Sequence, residues 1–147
     1  MMLTRTTLSA PEALVCTMVL IAATDGITDR EIGVMSGLVQ TLPVFEDFAT
    51  ADLRAATDAA VTLLGEADGI SHALALIRDA LEPRLRETAY ALACEVAAAD
   101  GFADQEALRL LMAVRDELHL DALAAAAIER ATRARHQRLT REPARAR

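Results

Sequence analysis

Ala22-Ala23-Thr24-Asp25-Gly26-Ile27-Thr28-Asp29-Arg30-Glu31 returns 75 positions later as Ala97-Ala98-Ala99-Asp100-Gly101-Phe102-Ala103-Asp104-Gln105-Glu106. Six of the ten aligned positions are identical, so the shared text is A-A-x-D-G-x-x-D-x-E. An Asp-Gly pair closes a helix, because glycine enters the left-handed conformation at little cost. A Thr or Asp two or three residues later opens the next one. The register holds beyond the motif, with Glu12 falling on Glu87 and Val39 on Val114. The chain therefore reads as two copies of helix–turn–helix–helix, over about 9–66 and 83–135. Each copy exposes an apolar face it cannot bury alone, so the halves are expected to pack together about a pseudo-twofold axis.

Worked outward from the motif, the text is helix after helix. Ser9-x-x-Glu12 fits a capping box with Pro11 in the first turn, and opens a helix reaching about Thr24. A second runs from Thr28 or Asp29 to about Thr41, just before Pro43. A third covers about Thr50 to Glu66 and ends at Asp68-Gly69. A short fourth, about Ser71 to Leu81, links the halves. Pro83 starts a fifth, which stops at Asp100-Gly101. The sixth covers about Asp104 to Leu118, and the seventh Asp121 to about Arg135. No segment alternates apolar and polar residues in the manner of a strand. The expected fold is all-α, a compact bundle of about seven helices from two pseudo-symmetric repeats. It occupies residues 1–138, followed by a flexible Arg-rich tail over 139–147.

Composition agrees. The chain's 147 residues make one domain. Alanine supplies 32 of them and the aromatics are four, a helical balance. With 53% apolar residues, wholesale disorder is excluded. The net charge of −7 is unevenly spread. Residues 1–129 carry 8 Arg against 21 acids, a net −13, whereas 130–147 carry 7 Arg and one Glu, a net +6. The basic end can touch an anionic membrane peripherally, fold back on the acidic body or stay solvated, and solvation or self-screening is the preferred reading. Nucleic acid is not expected as a partner, since the body is acidic and no aromatics interleave the arginines. Charges interrupt every apolar run before it can span a bilayer, and no signal-peptide core precedes Leu8, so a cytoplasmic protein is expected. Cys16 and Cys94 lack C-x-x-C spacing and read as buried thiols. His72, His119 and His136 are scattered, with no zinc-type grouping.

The paired motif carries the chemistry. Asp, Asp and Glu at positions 0, +4 and +6 around a tight turn offer hard oxygen ligands of the kind Ca²⁺ or Mg²⁺ takes. One copy is too few for a site; two copies face to face would supply Asp25, Asp29, Glu31, Asp100, Asp104 and Glu106. The spacing is not that of an EF-hand, since Ile27 or Phe102 fills a ligand slot. Capping competes with ligation. Thr28-x-x-Glu31 matches a capping box, and Asp29 and Asp104 suit helix N-termini. Asp68-Gly69 is an internal control, a third Asp-Gly pair followed by His72 and Leu74 instead of acids. Glu12 and Glu87 read chiefly as N-terminal caps. If the repeat-related helices ran antiparallel, they would instead approach the opposite turn.

The duplicated A-A-x-D-G-x-x-D-x-E segments, in an all-helical chain of this size, resemble the tellurite resistance protein B (TerB) family and its TerB-like domains. The resemblance covers about residues 9–135. It implies a helical bundle with internal pseudo-symmetry and an association with tellurite resistance and chemical stress. It also implies a binding or scaffold role, since such domains occur fused to J-domain co-chaperones and other modules. Its acidic residues, thought to hold a divalent metal, correspond here to Asp25, Asp29, Glu31, Asp100, Asp104 and Glu106. The expected function is thus a non-enzymatic module binding a divalent cation and a protein partner. Two alternatives are a hydrolase using metal-bound water at the same carboxylates and a purely structural interaction domain in which all six acids are caps.

Overall fold

A computed structural model describes residues 7–24 and 26–140. Seven α-helices follow one another: α1 Ala10–Ala22, α2 Asp29–Thr41, α3 Thr50–Leu64, α4 Gly69–Ala80, α5 Pro83–Ala98, α6 Gln105–Glu117 and α7 Ala122–Arg135. A 3-10 turn at Pro43–Phe45 lies between α2 and α3, and among the described residues there is no strand. The chain is all-α, as its sequence predicts.

Local chemistry sets the boundaries. The Ser9 hydroxyl accepts from the Glu12 amide at 3.3 Å, and Glu12 Oε1 accepts from the Ser9 amide at 3.1 Å, so α1 opens with the predicted capping box. Asp121 caps α7 by accepting from the Ala124 amide at 3.1 Å. Where α6 ends there is no glycine. His119 takes the left-handed conformation instead, and Leu120 N donates back to Arg115 O at 3.2 Å.

Helix α1 is the hub. Every residue from Ala13 to Ala22 is buried, including Thr17, whose hydroxyl is spent on Ala13 O at 2.8 Å. Such a helix, apolar all round, belongs in the centre of a bundle. α3, α4, α5 and α6 pack around it, and α5 in turn carries α7. The second helices cross over: α2 packs on α5, and α6 packs on α1. Each half therefore closes over the first helix of the other.

Two expectations need correction. The third helix ends at Leu64 with Gly65 as its C-cap, two residues before the expected Glu66, and Asp68-Gly69 is not its closing turn. Asp68 itself holds the left-handed backbone (φ +54) at the N-cap position of α4, with no side-chain capping bond. Gly69 is needed for space, since a Cβ on it would stand 2.5 Å from Leu63 O and 2.7 Å from Leu64 O. The fourth helix is more than a link. It starts at Gly69 and buries Ala73, Leu74, Leu76 and Ile77 in the common core. No described helix is long and apolar enough to cross a membrane. The predicted tail, 139–147, falls largely on residues 141–147, which lie outside the described residues.

Candidate functional site

The two Asp-Gly turns meet. Thr24 Oγ1, at the end of α1, donates to Asp104 Oδ2 at 2.5 Å, across 80 residues of sequence. Arg30 Nη1, in the first turn of α2, donates to Ala99 O at 3.4 Å. Ala99 caps the C-terminus of α5, where a cation complements the exposed carbonyls. The C-terminal ends of α1 and α5 therefore lie together. Glu12 and Glu87, near the other ends of those helices, do not approach the opposite turn. Glu12 is a cap, as above; Glu87 is an exposed residue in the second turn of α5.

The acids of the motif have individual fates. Asp104 caps α6, with Oδ1 accepting from the Glu106 amide at 2.9 Å. The Thr24 hydroxyl and these backbone donors hold its carboxyl below the usual aspartate range. Glu31 closes the capping box of α2: its Oε1 accepts from Thr28 N at 3.0 Å and from Thr28 Oγ1 at 2.8 Å. Asp29 is the first helical residue of α2 and is exposed. Asp100 is exposed in the second turn. Glu106 is exposed and stands 3.8 Å from Arg109. Asp25 lies outside the described residues. Among the described residues no group of three His, Cys, Asp or Glu is gathered around a point where a metal ion could sit.

The two turns differ in their backbones. Gly26 (φ +87) and Gly101 (φ +72) both take the left-handed region that glycine favours. Phe102 follows it at φ +61, and its amide donates to Ala97 O at 3.1 Å. The capping frame also shifts by one residue, since Thr28 caps α2 whereas Asp104, the counterpart of Asp29, caps α6.

The residues that join the turns, Thr24 and Arg30, were not among the predicted site residues. Their counterparts are Ala99 and Gln105, so identity between the copies could not point to them. The cysteines behave as read: both are free and buried, and burial pushes each thiol up to about 12, far from a reactive thiolate.

In comparison with known proteins, residues 11–131 fit the family model described as tellurite resistance protein TerB. No curated protein and no solved structure matches the chain.

Proposed function

The chain belongs to the tellurite resistance protein TerB family, and on that premise we propose that it is a non-enzymatic module binding a divalent cation, Ca²⁺ or Mg²⁺, and a protein partner, in tellurite resistance or a chemical stress response. The observation that supports this reading most is the Thr24–Asp104 hydrogen bond, which brings the end of α1 beside the start of α6. The donor chemistry fits, since carboxylate oxygens are what hard divalent cations take, and Asp104 is held in its ionised form. Asp25 and Asp100 would be the ligands, with Glu31 and Glu106 completing the shell and Asp29 and Asp104 ligating or orienting. The described acids stand around the turns without converging, so binding would draw them inward. The ion would supply charge neutralisation between the halves and so tighten the face presented to a partner.

A second reading, in which the acids are caps and no metal binds, is favoured by the use of Glu31 Oε1 and Asp104 Oδ1 on backbone amides. Thermal melts of wild type and of an Asp25→Asn/Asp100→Asn variant, with and without Ca²⁺ or Mg²⁺, separate the two. Under the metal reading the cation raises the wild-type Tm and leaves the variant unmoved. An equal response in both proteins contradicts it.

A further inference from the structure

The two halves carry matching clefts, and only one is closed from within. The cleft between α2 and α3 encloses about 440 Å³ over Ile27, Ile32, Met35 and Leu53, with Arg54 and Asp58 on its α3 wall. A shift of 75 residues carries Ile27, Ser36, Arg54 and Asp58 onto Phe102, Leu111, Glu129 and Arg133. Those four line the cleft beside α6 and α7, which holds only about 210 Å³. The equivalence extends to hydrogen bonding. Thr57 Oγ1 donates to Leu53 O at 2.7 Å, and its counterpart Thr132 Oγ1 donates to Ile128 O at 2.9 Å.

In the second cleft, Phe102 and Leu111 replace the smaller Ile27 and Ser36. Its carboxylate is satisfied internally: Tyr90 Oη donates to Glu129 Oε1 at 2.5 Å, and Arg115 Nη1 approaches the same oxygen at 3.4 Å. In the first half, Val15 stands for Tyr90 and Gln40 for Arg115. The charge at the matched place is also reversed, from Glu129 to Arg54. The Arg54 guanidinium makes no hydrogen bond or ion pair among the described residues. The first cleft thus lacks the apolar filling of the second and any counterpart of the Tyr90 and Arg115 contacts to Glu129; the opposite charge among its lining residues is Asp58, four positions along α3 from Arg54.

We propose that the α2–α3 cleft binds a small monocarboxylic acid with an apolar body, the body on Ile27, Ile32, Met35 and Leu53 and the carboxylate on Arg54. The volume falls within the range of small-molecule sites, which combine apolar walls with a few polar groups. Ile32, 52% exposed beside the cleft, is covered when the site fills. Asp58, one turn along α3 from Arg54, weakens the pull of Arg54 on a carboxylate.

The test titrates the isotope-labelled full-length chain with octanoate, octylammonium and octan-1-ol, followed by NMR. Octanoate is expected to shift the methyl signals of Ile27, Ile32, Met35 and Leu53 saturably. It is expected to bind about threefold more tightly than octylammonium, the preference an exposed ion pair supplies. Arg54→Gln should erase that preference, and Asp58→Asn should strengthen octanoate binding. Both residues are exposed, and unchanged circular dichroism shows that the variants fold. Equal binding of octanoate and octylammonium, a preference that survives Arg54→Gln, or shifts confined to Phe102 and Leu111 overturns the proposal.

Discussion

The Thr24 hydroxyl at the end of α1 donates to the Asp104 carboxylate at the start of α6, and so ties the two Asp-Gly turns together. Removing the donor in Thr24→Val should lower the Tm at neutral pH. Asp104 is held below its ordinary value of 3.8, first by Thr24. Its contribution is therefore present above the unfolded pKa and lost as pH falls through the folded one. The Tm difference between wild type and variant should shrink as a pH series descends below about 4. A difference that grows in acid would contradict the assignment.

A second tie joins α5 to the end of α7. Arg135 and His136 both bond Glu95, with Arg135 Nε at 2.8 Å from Oε1 and His136 Nε2 at 2.6 Å from Oε2. Burial pushes the Glu95 carboxyl up, but the hydrogen bonds from His136 and Arg135 outweigh it and hold the group below 4.5. Glu95→Gln should cost about 1 kcal/mol at pH 7, a value kept small because Arg135 is half exposed. The loss should fade as pH falls through the lowered pKa, and denaturant unfolding at pH 7 and pH 3 checks the sign.

The three Asp-Gly pairs make different demands on glycine. At Gly69 an added Cβ meets backbone carbonyls of α3, which cannot yield without moving the helix end. Gly69→Ala should cost about 3 kcal/mol despite the better helix propensity of alanine. At Gly26 the space is open and only the positive φ matters, so Gly26→Ala should cost about 1 kcal/mol. Equilibrium unfolding of the two variants tests the order, and a Gly26→Ala penalty larger than that of Gly69→Ala would refute it.

Helix α4 belongs to the core. Ile77 is fully buried, so Ile77→Ala should cost about 2–5 kcal/mol in denaturant unfolding. A loss below about 1 kcal/mol would return α4 to the role of a surface connector.

Much of the fold is legible in the sequence because punctuation and periodicity agree. Ser9 with Glu12, Thr28 with Glu31, Pro83, and Asp121 each mark a helix start that the structure shows. The end of α3 is not legible. Asp68-Gly69 looks like the two motif turns, yet there the aspartate takes the positive φ and the glycine makes room for a neighbour. Sequence spacing does not distinguish those uses of glycine. The site is legible by halves. Repetition points to the turns, but the residues that join them, Thr24 and Arg30, differ between the copies. The clefts are hidden for the same reason, since their chemistry lies in the departures from the repeat, such as Arg54 against Glu129.

NMR titration of the full-length chain with Ca²⁺ and Mg²⁺ tests the proposed cation site between the two turns most directly. The amide signals of Gly26 and Gly101 should move together, saturate at the same cation concentration and stop responding in Asp25→Asn/Asp100→Asn. Movement of one turn without the other, or of neither, would contradict the account.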